Sequence, residues 1–259
     1  MIDMAIHNIA GYKFISLAEL PILQESLLQA GIKLDLKGTI LLSNEGININ
    51  IAGNTEAIHQ FKAILQQDHR FADMTFRESF SEAQPFRKMK VKLRNEIITM
   101  RQEEIDPEQN RAPSLSPEQF KQWLDEKRDM MVLDTRNDYE VEFGTFDQAI
   151  SLGLNDFSEF PEKSQHLAKD KPIVMFCTGG IRCEKAAVYL LQQGYENVFQ
   201  LAGGILNYFA EVGGAHYHGE CFVFDGRVAL DAELKTTGTQ QCTVCQYPMK
   251  SSENHQCIK

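Results

Sequence analysis

The run Ile173-Val-Met-Phe176 is apolar at every position. A strand of that kind has no face to give to water, so it must lie inside a sheet covered on both sides. Helices supply the cover, and the residues around 157–168 and 183–193 have helical spacing on either side of the run. Met130–Leu133 is a second short apolar run and Val198–Gln200 a third strand candidate. This alternation predicts an α/β unit with a doubly wound parallel sheet.

The strand leads directly into Cys177-Thr-Gly-Gly-Ile-Arg-Cys-Glu-Lys-Ala. Open α/β sheets hold ligands at the carboxyl ends of their strands. Gly179 and Gly180 let backbone N–H groups turn inward as a nest for an anion. Arg182 adds a fixed positive charge, and the helix starting near Cys183 points the positive end of its dipole at the same spot. All of this favours thiolate over thiol, so Cys177 is predicted to ionise below the free value of about 8.5. Only Thr178, Gly179, Gly180 and Ile181 separate Cys177 from Arg182. That is one residue fewer than in the cysteine phosphatases, and the shorter cradle suits a sulfur-sized adduct better than a phosphate. Cys183 is a candidate resolving thiol for a persulfide or sulfenic acid on Cys177. A small residue packed beneath the loop is the alternative.

The first hundred residues carry a different pattern. Lys13–Leu17, Thr39–Leu42, Ile47–Ala52, Met74–Phe80 and Lys88–Thr99 read as extended. Leu20–Ala30 and Thr55–Gln67 read as helices, the second capped by Asn54 and buried along Ile58, Phe61, Ile64 and Leu65. Ser43-Asn44-Glu45-Gly46 is a hairpin-type turn. The order β-α-β-β-α-β predicts a ferredoxin-like, acylphosphatase-like α+β sandwich over 1–100. Residues 101–115 are polar, with Pro107 and Pro113 as breakers, and read as a linker. The α/β unit then spans 116–218, opening on a helix capped by Ser116 with Pro117 and Gln119. Residues 219–259 form a cysteine-containing extension.

The Cys177 loop resembles the active loop of a rhodanese-type domain. Leu133-Asp134-Thr135-Arg136 resembles the end of the first rhodanese strand, and Glu140, Gly144, Phe146 and Ala149 match the residues that follow it. Thr145 stands where a histidine is common. Leu201-Ala-Gly-Gly-Ile-Leu resembles a later rhodanese segment. Together with Gly219-Glu-Cys-Phe-Val-Phe-Asp-Gly-Arg-Val and Asn44-Glu-Gly-Ile-Asn, these segments are similar to the rhodanese-type tRNA uridine 5-hydroxylase family over nearly the whole chain. One departure is Ile49-Asn50, where that family has Gly-Thr. The resemblance implies oxygen-dependent hydroxylation of the wobble uridine of tRNA at carbon 5, with molecular oxygen as cosubstrate. It implies Cys177 as the active cysteine, through a persulfide, with Arg182 beside it. No motif points to a flavin or a non-haem iron, so no resident cofactor is assigned. The competing expectation is a persulfide sulfurtransferase served by a sulfur-carrier protein.

Charge bears on partners. The formal net charge is −10, which argues against nonspecific adhesion to nucleic acid. Against that background Arg87–Arg94 is basic, and in a strand Lys88, Lys90, Lys92 and Arg94 share one face. Those four are the candidate RNA-binding residues, set to track phosphates. In the tail, Cys242, Cys245, His255 and Cys257 carry zinc-ligand chemistry. A lone CxxC is half a site, however, and His-x-Cys is not usual finger spacing, so no metal is assigned. The six cysteines fit reduced thiols better than a disulfide scaffold. The start lacks the basic-then-apolar layout of a signal peptide, and no apolar run is long enough to span a bilayer. A cytoplasmic protein with no membrane partner is expected.

Overall fold

The computed structural model describes residues 5–245 and 247–249. The chain divides into two compact units, 1–99 and 100–259.

The first unit contains β1 (Ile6–Phe14), α1 (Leu20–Lys33), β2 (Lys37–Ser43), β3 (Gly46–Gly53), α2 (Thr55–Gln66), β4 (Arg77–Ser81) and β5 (Met89–Leu93). The sheet order is β4-β1-β3-β2-β5. The first four strands run antiparallel to their neighbours, as in a ferredoxin-like sandwich, and β5 adds a parallel edge beside β2. Ile47, Ile49 and Ile51 alternate onto one face and pack with Ile58, Phe61 and Leu65 of α2. Asn54 caps α2, accepting the Ala57 N–H at 2.8 Å. Ile64, expected on the inner face, is 41% exposed, because helical spacing carries it to the stripe's edge.

The first strand also departs from expectation. It covers Ile6–Phe14 rather than Lys13–Leu17. Polar His7 and Asn8 interrupt its apolar signal, yet both are buried. Asn8 satisfies its amide against Ser81 Oγ at 3.0 Å on β4, a partner far along the chain. Pairing on both edges, with β3 and β4, holds the strand.

The second unit is built on a parallel sheet, β6-β11-β10-β7-β9. Its elements are β6 (Ser114–Leu115), α3 (Pro117–Asp125), β7 (Met131–Asp134), α4 (Asp138–Val141), β8 (Gly144–Phe146), β9 (Ile150–Ser151), α5 (Phe160–Lys163), β10 (Ile173–Phe176), α6 (Ile181–Gln192), β11 (Val198–Leu201) and α7 (Gly204–Val212). Strand β10 is central and buried at every position, as its composition requires. Helix α3 starts at a capping box: Ser116 Oγ accepts the Gln119 N–H at 3.2 Å, and Gln119 Oε1 accepts the Ser116 N–H at 3.0 Å.

The stretch read as a linker is incorporated into this unit. Ile105 and Ala112 are buried, and Ser114–Leu115 extends the sheet edge beside β11. The expected boundary after residue 218 falls inside β12 (Tyr217–Gly219), which pairs with β8. A hairpin of β13 (Cys221–Phe222) and β14 (Ala229–Leu230) follows, then a short pairing of Gln240–Gln241 with Pro248–Met249. Among the described residues, no helix is long and apolar enough to cross a membrane.

Candidate active site

Cys177 follows directly on β10, at the carboxyl end of the central strand. Gly180 takes φ +94°, a left-handed conformation that favours glycine, and turns the chain into α6. Its N–H donates to Cys177 Sγ at 3.1 Å. Helix α6 thus begins at Ile181, two residues before the expected start, and brings its N-terminus against the sulfur.

The loop is also held from behind. The N–H groups of Ile205 and Leu206, in the first turn of α7, donate to the carbonyls of Cys177 (3.0 Å) and Thr178 (3.1 Å). Gly204 has φ +68°, and a Cβ there would lie 2.3 Å from the Cys177 carbonyl oxygen and 2.8 Å from the Gly180 nitrogen. This close approach is the physical content of the Ala-Gly-Gly-Ile segment.

Burial by itself would push the Cys177 thiol up. A hydrogen bond from Cys183, the charge of Arg182 and backbone N–H groups at Arg182 and Gly179 outweigh it and hold Cys177 well below the ordinary thiol range. Cys183 moves the other way. Its burial and the adjacent Cys177 anion keep it a thiol. The pair therefore sits as thiolate and thiol, with Cys183 donating to Cys177 and touching Thr135 Oγ1 at 3.5 Å. Burial pushes the third loop-adjacent thiol, Cys221, up to about 12, which fits a packing role.

Arg182 is 4% exposed, and its guanidinium forks onto Glu140, with Nη1–Oε2 at 2.6 Å and Nη2–Oε1 at 2.7 Å. Glu140 also accepts the Asn137 N–H at 3.0 Å and the Thr178 hydroxyl at 3.4 Å. Glu140 is thus the residue that orients Arg182. Sequence reasoning met it only as part of a family pattern. The local signal was a helix-start arrangement, Asn137 with Glu140 three residues on. A second buried pair, Asp134 with Arg136 at 2.6 Å, braces the end of β7; Thr145 donates to Asp134 at 2.8 Å and Arg136 to the Gly144 carbonyl at 2.6 Å. It is a structural brace below the loop.

Of the loop residues, Cys177, Thr178, Gly180, Arg182 and Cys183 are buried, and Gly179 and Ile181 are half-buried. Cys177 itself has no exposed surface. The structure brings Cys177, Arg182 and Cys183 together. The basic residues lie in the other unit, with Lys90 and Lys92 on edge strand β5 and Lys88 and Arg94 flanking it; Lys88, Lys90 and Arg94 are exposed and Lys92 is half-buried. Met89 and Val91 alternate inward, while Leu93, also on that side, is 37% exposed. Of the tail candidates, Cys242 is buried and Cys245 exposed; His255 and Cys257 lie outside the described residues. Among the described residues, no group of three or more His, Cys, Asp or Glu is placed to hold a metal ion.

A thiolate in a glycine nest at the end of a central parallel strand defines a rhodanese-like unit, and residues 116–211 match the rhodanese-like domain model. Residues 6–97 match the UPF0176 acylphosphatase like domain. The chain is similar throughout to proteins named tRNA uridine(34) hydroxylase. That of Cupriavidus taiwanensis is 50% identical over 94% of this chain and 89% of its own. That of Variovorax paradoxus is 52% identical over 88% of this chain and 89% of its own. The chain belongs to the tRNA uridine(34) hydroxylase family.

Proposed function

We propose that this protein hydroxylates the wobble uridine of tRNA at carbon 5, with Cys177 as the active sulfur and molecular oxygen as cosubstrate. The observation that carries this reading is 50% identity to a tRNA uridine(34) hydroxylase across both units. The low-lying thiolate of Cys177 takes up the sulfane sulfur whose outer atom is the nucleophile.

The complete burial of Cys177 favours a persulfide. An outer sulfur stands about 2 Å beyond Sγ, which moves the reactive atom toward the half-buried rim of Gly179 and Ile181. That sulfur adds to carbon 6 of the uracil, and the displaced electron pair makes carbon 5 nucleophilic. Carbon 5 adds molecular oxygen and a proton as a hydroperoxide; two external thiols, oxidised to a disulfide, supply the electrons that cleave its O–O bond, leaving a hydroxyl on carbon 5 and releasing the second oxygen as water. The sulfur then leaves with its bonding pair, and loss of the carbon-5 proton restores the ring double bond. Arg182, oriented by Glu140, holds the anionic sulfur, and Cys183 keeps a proton at hand. A sulfur-carrier protein loads the persulfide. Lys88, Lys90, Lys92 and Arg94 track the phosphates of the RNA, and the protein works where tRNA is used, in the cytoplasm.

Mass analysis of wobble uridines tests the activity. A strain lacking the protein should lose 5-hydroxyuridine and its derivatives, the wild-type chain should restore them, and Cys177→Ser should not. Restoration by Cys177→Ser would refute the role of the sulfur. The short Cys177-to-Arg182 loop also supports a second reading, sulfur transfer from thiosulfate. Turnover of thiosulfate to an acceptor, with tRNA left unmodified, would select it.

A further inference from the structure

The Gly219–Val228 motif ends in a hairpin tip that the chemistry of Cys177 leaves unused. Strands β13 and β14 close on a short turn: the Val223 N–H donates to the Val228 carbonyl at 2.8 Å, and the Val228 N–H to that of Asp225 at 3.1 Å. The Asp225 carboxylate accepts from Arg227 Nε at 2.9 Å and Nη2 at 2.6 Å, with both side chains largely buried. The tip is therefore held in one shape. Its root lies against the active loop, where the Thr178 hydroxyl, shared with Glu140, is 3.4 Å from the Phe222 carbonyl.

The two phenylalanines of the tip part company. Phe222 is buried, edge-on to Tyr139 at 5.4 Å and tilted against Phe143 at 5.1 Å. Phe224 is 61% exposed. It rests edge-on against Phe222, with ring centroids 5.1 Å apart, and the guanidinium carbon of Arg182 lies 5.8 Å from its centroid. A scattered exposed apolar side chain needs no explanation. This ring is different because a rigid turn presents it beside the same guanidinium whose charge favours the Cys177 thiolate.

We propose that Phe224 is the stacking platform for the target base, a uracil in single-stranded RNA, which lies on its ring with the reacting edge toward the Cys177 loop. The proposal rests on the tRNA-hydroxylase reading and adds the residue that seats the base. Enzymes that act on a nucleobase take it out of its stack and rebuild stacking on an aromatic side chain. A ring with a preset position does this at little ordering cost. Phe224 is a positioning residue: it binds the base and exchanges no atom with it.

The test compares Phe224→Ala, Phe224→Leu and Phe224→Trp in the full chain. Loss of base–aromatic stacking should raise KM for tRNA by on the order of tenfold or more in the alanine and leucine variants, with kcat within about twofold of wild type. Phe224→Trp should stay near wild type. Alkylation of Cys177 by iodoacetamide and the thermal midpoint should not move, which separates lost stacking from a damaged loop. Wild-type KM in either aliphatic variant overturns the proposal. A second measurement is independent of turnover. A single-stranded uridine oligonucleotide should quench the added fluorescence of the Phe224→Trp protein saturably, after subtraction of the parent's signal. Absence of quenching overturns the platform. Quenching without hydroxylation by the wild-type protein retains the platform and sinks only the assigned reaction.

Discussion

Removal of Glu140 is the perturbation with the largest consequence that the structure defines. Its carboxylate has no exposed surface and neutralises Arg182, itself 4% exposed, through two bonds of 2.6 and 2.7 Å. The pair as a whole is near break-even, because both ions give up their hydration to form it. Glu140→Ala keeps that cost for Arg182 and removes its return. It also strands the Asn137 N–H and opens a void. Breaking a buried pair in this way costs about 3–5 kcal/mol. For a domain of roughly 150 residues this lowers the melting temperature by about 6–20 °C. Urea and thermal unfolding measure the loss directly. The decisive control is the double variant Glu140→Leu, Arg182→Met, which removes both charges and fills the space. It should recover most of the stability while losing activity, since Arg182 no longer faces the sulfur. A Glu140→Ala protein within about 1 kcal/mol of wild type would refute the argument, as would a double variant less stable than the single one.

Three further outcomes follow from the same geometry. The folded pKa of Cys177 lies below its unfolded value of about 8.5, so its stabilisation is complete above that pH and fades as pH falls through the folded value. The stability difference between wild type and Cys177→Ser should therefore grow as pH rises from the folded value toward about 8.5, and a flat difference in urea unfolding would count against a native thiolate. Gly204→Ala places a methyl group 2.3 Å from the Cys177 carbonyl oxygen at a left-handed position, so it should cost about 1–3 kcal/mol in urea unfolding, and a cost near zero would count against the close approach. Replacing Lys88, Lys90, Lys92 and Arg94 by glutamine should weaken tRNA binding and reduce the slope of log affinity against log salt by up to about 3; an unchanged slope would remove the basic strand from the interface.

Much of the site was legible because its parts are local. Cys177, its glycines, Arg182 and Cys183 lie within one strand–loop–helix, and each pulls the sulfur toward its anion by a mechanism that needs no distant partner. The caps at Asn54 and Ser116 were legible for the same reason, since a cap and the N–H it serves are three residues apart. The misplaced first strand had the opposite problem. Its His7 and Asn8 carry no apolar period, and only pairing with β3 and β4 makes them interior. The stretch around 101–115 looked like a linker because its composition is polar, but Ser114–Leu115 needed only an open sheet edge to pair.

The amino-acid order alone determined the two-unit plan, the all-apolar central strand and the anion-favouring loop that follows it, because hydrophobic period, glycine placement and charge act over a few residues. Tertiary structure decided which distant groups complete that loop. Glu140 meets Arg182 across 42 positions, Gly204 lets α7 reach the Cys177 carbonyl, and the hairpin carrying Phe224 folds back onto the same guanidinium. Local pattern marks these segments but not what they touch, since a buried charge finds its counterion, and a backbone its close neighbour, only where the packed elements converge.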